Sequence, residues 1–206
     1  MVRLFVGLEI PETIRDALSE VRGGVEGAHW QRDDQLHLTL AFIGDVPKKA
    51  LHEIEGELSR ISVSPFDFAL KGVGLFGKPK QPKCLWAGVE DKAPLVHLHE
   101  KIVNALARVD VEVERRKYKP HVTLARFRRG AQARIGDWLL HSENLYTPAE
   151  TVQHFTLFSS QRTNEGSYYT VESRFGRALE AEPEADDIDR AYNMGREFGW
   201  VLEPAF

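Results

Sequence analysis

Two segments, HLTLAF at residues 37–42 and HVTLARF at residues 121–127, decide how this chain is read. In a β-strand, side chains at i and i+2 share a face. His37 therefore projects with Thr39 while Leu38 and Leu40 turn into a core, and His121 projects with Thr123 while Val122 and Leu124 turn inward. Each segment presents an imidazole beside a hydroxyl on a strand backed by apolar side chains. The two histidines are 84 residues apart, a separation that predicts two pseudo-equivalent halves facing each other.

Elements of both kinds surround each segment. VRLFVGLEI at 2–10 reads as a strand, Pro11 opens a helix over about 12–22, and Gly23-Gly24 stops it. A strand is expected over 36–43, ended by Gly44-Asp45. A helix opening at Pro47 follows, with Leu51, Ile54 and Leu58 at helical spacing. Strand-like runs at 66–76 and 84–90 flank the turn GKPKQPK. The order then recurs: a helix at about 93–108, a short strand at 110–114, the second histidine strand at 121–127 and a helix at about 131–141. Strands at 150–160 and 167–175 close the pattern, joined around Asn164-Glu165-Gly166. The fold class expected is α+β, with mainly antiparallel sheet because of the paired C-terminal strands.

At 206 residues, with 42% hydrophobic and 28% charged side chains, the chain reads as a soluble globular protein of one domain or two tightly joined lobes. The apolar run before Glu9 and Pro11 is too short for a signal peptide core or a membrane span, so a cytoplasmic protein is expected. The single cysteine, Cys84, allows neither an internal disulfide nor a cysteine zinc cage, and reads as a small buried strand residue. The net charge of −4 hides an asymmetry. Residues 179–206 hold eight acidic and two basic side chains, leaving 25 basic against 23 acidic in the body. That extension lacks core-forming periodicity until its last aromatics, which could dock on the body or on a partner. Residues 115–129, RRKYKPHVTLARFRR, carry seven Lys or Arg and no carboxylate, and bracket His121; an anionic ligand is expected there.

Paired imidazoles can catalyse in-line substitution at phosphorus without a metal. One, neutral, takes a proton from the attacking hydroxyl or water; the other, protonated, gives one to the leaving oxygen. The hydroxyls of Thr39 and Thr123 can donate to the non-bridging oxygens, helped by nearby Arg or Lys. The other histidines read as surface or packing residues. His97 and His99, two apart on a helix, face away from each other, and His29, His52, His141 and His154 have no carboxylate or histidine partner at ligand spacing. No metal site and no cofactor are expected.

RLFVGLEIP at the start, HLTLAFIGDVP around His37, LWAGVE at 85–90 and KPHVTLARF around His121 resemble the 2H phosphoesterase superfamily. The nearer resemblance is to its bacterial and archaeal RNA 2′,3′-cyclic phosphodiesterase branch, also called the 2′-5′ RNA ligase family, and it covers about residues 1–178. It implies a bilobal domain with outer helices and a central cleft, each lobe supplying one motif, with 179–206 as an acidic extension outside the pattern. It implies hydrolysis of a 2′,3′-cyclic phosphate on RNA or a small nucleotide to a 2′-phosphomonoester, with no membrane and no obligatory protein partner. Carried over by motif, His37 is the general acid at the leaving 3′ oxygen and His121 the general base on water. Thr39 and Thr123 bind the phosphate. Arg126 matches an arginine near the phosphate or nucleobase, and Phe42, at the equivalent position of the first motif, could stack on a base.

Strict alternation points the other way for the last two. A regular strand turns a residue five beyond the histidine to the opposite face, which would bury Phe42 and leave Ala41 and Phe127 at the cleft; a bulge or a strand end near Ala125 would restore Arg126. Two other functions fit the same residues: joining of tRNA halves through a 2′-5′ linkage, and a non-catalytic RNA-end module using the basic segment with aromatics such as Tyr118 and Trp30.

Overall fold

Apolar side chains spaced for one helical face bury each helix against a sheet. In the computed structural model, which describes residues 1–113, 117–163 and 166–176, Ile14 and Leu18 are the buried pair of α1 (Glu12–Ser19). Ile54 and Leu58 do the same in α2 (Ala50–Leu58), and Leu95, Leu98, Ile102, Ala105 and Leu106 in α3 (Ala93–Ala107). A short α4 (Gly136–Ser142) follows late in the chain. Among the described residues no helix is long and apolar enough to cross a membrane.

The strands are β1 (Val2–Glu9), β2 (His29–Trp30), β3 (His37–Val46), β4 (Phe66–Phe68), β5 (Leu70–Lys78), β6 (Gln81–Val89), β7 (Val122–Arg126), β8 (Glu150–Val152), β9 (His154–Thr163) and β10 (Gly166–Gly176). The main sheet runs β10-β9-β1-β3-β7-β6-β5, with β2 beside β7; β4 and β8 form a separate pair. All these pairings are antiparallel, as expected of the α+β class. The centre of the sheet is its narrowest join. β3 and β7 share the single pair Leu38↔Val122, so the residues that follow His37 and His121 meet at the seam between two half-sheets. The two lobes are these half-sheets.

Several boundaries differ from expectation; the run 150–160, for example, divides at Gln153 into β8 and β9, and α1 ends at Ser19 rather than near 22. Gly44 and Asp45 do not end β3, which continues to Val46; Gly44 takes a positive φ at a register shift, and Asp45 reaches Arg3 at 3.1 Å. The run 66–76 divides because Phe68, Ala69 and Leu70 are all buried, which breaks alternation and sends β4 to β8 while β5 joins β6. Residues 110–113 form no strand. Asp110, at φ 54°, turns the chain off α3, with the Val111 amide donating to the Leu106 carbonyl at 3.1 Å. The helix expected from 131 begins only at Gly136. Residue 114 of the expected short strand, Arg115 and Arg116 of the basic run, Asn164-Glu165, and the acidic extension from 177 lie outside the described residues.

Candidate active site

The two motif strands carry the same irregularity. Opposite β1, Thr39 pairs with Gly7 and Ala41 with Val6, so Leu40 is an extra residue; opposite β6, Thr123 pairs with Trp86 and Ala125 with Leu85, so Leu124 is extra. Each motif thus bulges at the third position after its histidine, and two neighbouring residues, Leu40-Ala41 and Leu124-Ala125, are buried in succession. The parity of the strand flips once. Phe42 and Arg126 therefore return to the face of the histidines, both exposed, and strict alternation gives the wrong side for both. Phe42 is 40% exposed with the Arg3 guanidinium 5.0 Å from its ring centre, whereas Ala41 is buried.

Both imidazoles are held in the same way. His37 Nδ1 lies 2.8 Å from the Gln35 carbonyl, and His121 Nδ1 lies 2.7 Å from the Lys119 carbonyl, in each case two residues upstream. A carbonyl only accepts, so Nδ1 carries the hydrogen in both rings and, in the neutral form, the lone pair is on Nε2. The walls differ. His37 is enclosed by Phe5, Tyr169 and Phe158, with ring centres at 4.7, 4.9 and 6.3 Å. Burial there, with the positive charges of Arg126 and His121 adding to it, pushes its pKa down to about 4. His121 meets Phe76 edge-on at 4.9 Å and Trp86 at 6.3 Å.

A cleft of about 560 Å³ brings together Thr39, Phe42, Tyr118, His121, Thr123 and Arg126. His37 borders a neighbouring cavity of about 450 Å³, which also touches Glu9, Glu150 and Tyr169. It stands two residues before Thr39 on one strand face, and the Arg126 and His121 charges are felt at its ring. Tyr118 is partly buried; its hydroxyl donates to the Thr39 carbonyl at 3.2 Å, and burial pushes its pKa up, so it stays a donor. Trp30 is elsewhere, half-buried with its ring 6.0 Å from Trp138. Cys84 is buried; its thiol lies 3.8 Å from Thr123 Oγ1, and burial raises its pKa.

Sequence reasoning passes over His99. Its Nδ1 donates to the carbonyl of the bulged Leu40 at 2.7 Å, and its ring stacks on Tyr118 at 4.1 Å. A signal for it exists: His99 is four residues after Leu95 and three before Ile102, on the buried stripe of α3. Sequence spacing also gives His154 no carboxylate, but its Nε2 is 3.9 Å from Glu9 Oε1, a partner from the far end of the chain. Lys119 of the basic run and Lys83, which no motif singles out, line the cleft as well. Among the described residues, no three His, Cys, Asp or Glu side chains form a metal-ligand set.

An antiparallel α+β frame that sets two bulged His-x-Thr strands side by side, each ring pinned through Nδ1, defines a protein of the two-histidine phosphoesterase class. The family described as LigT like Phosphoesterase matches residues 8–86 and 88–169, and the chain belongs to that family. The RNA 2′,3′-cyclic phosphodiesterase of Thermotoga maritima is 31% identical over 180 residues, covering 82% of this chain and 92% of its own. A namesake from Archaeoglobus fulgidus is 30% identical over 131 residues, 62% of this chain and 74% of its own. Among solved structures, TT0787 of Thermus thermophilus superposes with a TM-score of 0.71 at 27% identity, covering 84% of this chain and 96% of that one. Escherichia coli LigT in its apo form gives 0.67 at 25% identity, over 84% and 96%.

Proposed function

We propose that this chain hydrolyses the 2′,3′-cyclic phosphate of an RNA end or a small nucleotide to a 2′-phosphomonoester, without a metal. The observation that carries the reading is the matched pair of imidazoles, each with Nδ1 hydrogen-bonded to a backbone carbonyl, which puts the lone pair of the neutral ring on Nε2. The relatives named RNA 2′,3′-cyclic phosphodiesterase support the substrate. His121 takes a proton from water as it attacks phosphorus, and His37 delivers one to the departing 3′ oxygen. The Thr39 and Thr123 hydroxyls donate to the non-bridging oxygens, where negative charge grows in the transition state, and Arg126 adds its charge from the same face. Phe42 offers an exposed ring for a base. Before substrate binds, the low pKa of His37 keeps it neutral near pH 7, so it becomes the acid only when the anionic phosphate arrives and offsets the burial. The catalytic domain is residues 1–178, a reading supported by the compact unit Met1–Gly176. The proposed location is the cytoplasm, where the unpaired Cys84 persists as a thiol.

The test is turnover of adenosine 2′,3′-cyclic phosphate in EDTA by wild type, His37→Ala and His121→Ala. Each substitution is expected to cost about 10²–10⁴-fold in kcat. Full activity in either variant overturns the two-histidine mechanism. Lengthening of RNA halves that carry a cyclic phosphate and a 5′-hydroxyl would indicate ligation instead.

A further inference from the structure

Several of the described cations are matched by a carboxylate. Arg3, Arg22, Arg32, Arg60, Lys71, Arg108 and Arg174 each lie within 4.0 Å of a carboxylate. Lys83, Lys117 and Lys119 have no such partner among the described residues, and all three line the His121 cleft, which no Asp or Glu lines. Arg126 stands with them. One reacting phosphodiester carries a single negative charge, so this wall holds more positive charge than the reaction requires. Lys119 is moreover held in place: its ammonium sits 4.3 Å from the Trp86 ring centre and 5.3 Å from that of Phe76, and Phe76 is itself edge-on to His121. Lys83 is on β6, one residue from Cys84, which pairs with Arg126 across the sheet. The cavity on the other side of His37 is lined by carboxylates, Glu9, Glu12, Asp33, Asp34 and Glu150, with Arg15 beside them; Glu9, Asp33 and Asp34 are paired with Arg174, Arg22 and Arg32. A second phosphate is drawn to the lysine wall in preference to that cavity.

We infer that Lys83 and Lys119, assisted by Lys117, form a subsite for a second phosphate group, one nucleotide position away from the reacting cyclic phosphate. This rests on the cyclic phosphodiesterase reading and sharpens it. The preferred substrate is a cyclic phosphate that carries another phosphate, either a 5′-terminal monophosphate or the next internucleotide phosphodiester, rather than a bare nucleoside 2′,3′-cyclic phosphate. The acidic cavity beyond His37 sets the polarity, so the phosphate-bearing remainder of the substrate leaves along the His121 side.

The experiment compares kcat/KM for adenosine 2′,3′-cyclic phosphate, its 5′-phosphorylated form, and the dinucleotide ApA ending in a 2′,3′-cyclic phosphate. Wild type is expected to favour one or both of the latter by about tenfold at low salt, chiefly through KM, because charge-assisted contacts to phosphate are strong when unscreened. The two doubly phosphorylated substrates distinguish a terminal from an internal phosphate. Lys83→Ala and Lys119→Ala should each shrink the ratio, and Lys83→Arg should restore most of it. Equal kcat/KM for all three substrates, or a preference that survives both alanine variants, overturns the subsite while leaving the hydrolase reading intact. No turnover of any of them overturns the hydrolase reading, and the subsite then stands or falls on calorimetry. In that measurement adenosine 2′,5′-bisphosphate must bind more tightly than adenosine 2′-phosphate, and Lys83→Ala must abolish the difference.

Discussion

The phenol of Tyr118 donates to the main-chain carbonyl of Thr39 at 3.2 Å, and so ties the segment leading to His121 directly to the first motif. His99 stacks on that phenol and holds the next carbonyl, that of the bulged Leu40, at 2.7 Å. A bulge leaves backbone groups without ladder partners, and this pair supplies them from the neighbouring helix and loop. Tyr118→Phe keeps the stack and removes one hydrogen bond. Stability should fall by about 1 kcal/mol, the usual net value of such a bond. If the tie also positions Thr39, kcat drops while KM moves little; an unchanged kcat in steady-state assays would make Tyr118 purely structural.

The half-buried, ring-enclosed His37 predicts a specific acid sensitivity. Its pKa is about 4 in the folded protein against 6.5 for an ordinary histidine, so between those values the unfolded chain binds a proton that the folded one does not. Stability therefore rises with pH across this window and is lost as pH falls from 6.5 toward 4. The contribution at pH 7 relative to pH 4 is roughly 3 kcal/mol at one pKa unit per 1.36 kcal/mol. In urea titrations at both pH values, His37→Asn should narrow the stability gap by about that amount. A gap as wide as that of wild type would mean that the ring is hydrated.

Which histidine is the acid can be read chemically. A cyclic phosphate whose leaving 3′ atom is sulfur needs little protonation to depart. With it, His37→Ala should recover most of its activity while His121→Ala stays impaired, since water still has to be deprotonated. Recovery of the His121 variant alone would exchange the two roles.

Gly7 is packed against the first bulge. A Cβ there would stand 2.7 Å from the Leu38 carbonyl oxygen, which is backbone and cannot swing away. Gly7→Ala should cost about 1–3 kcal/mol by overpacking and, by pushing β3 outward, lower kcat as well. Thermal melting together with an activity assay checks both, and a variant with wild-type Tm would show that β3 has room to move.

Much of this site is legible in the sequence. Strand parity places His37 with Thr39 and His121 with Thr123, because a two-residue relationship survives any later bulge. The relation of each histidine to Phe42 and Arg126 does not survive it. Nothing local in HLTLAF distinguishes a bulged leucine from a regular one; the cue is a second apolar residue in succession, Leu40-Ala41 and Leu124-Ala125, which ordinary core packing also produces. The helices show through their buried stripes, while α4 is expected too long because residues 131–135 resemble a first helical turn in composition. The enclosure of His37 is out of reach, since Phe5, Phe158 and Tyr169 meet only through the pairing of β1 with β9 and β9 with β10.

That last arrangement bears on the order in which the molecule is made. The half-sheet carrying the first motif takes its outer strands, β9 and β10, from residues 154–176, whereas β5, β6 and β7 of the second motif's half are consecutive strands in the main sheet. In a chain emerging from the ribosome, β5, β6 and β7 are all out once the second motif has been made. His37, though translated first, waits until Tyr169 has emerged to gain its walls. Of the two motif histidines, the one translated first is the last to be enclosed, and a nascent or truncated product that stops before β9 carries both motifs but lacks two of the three rings around His37.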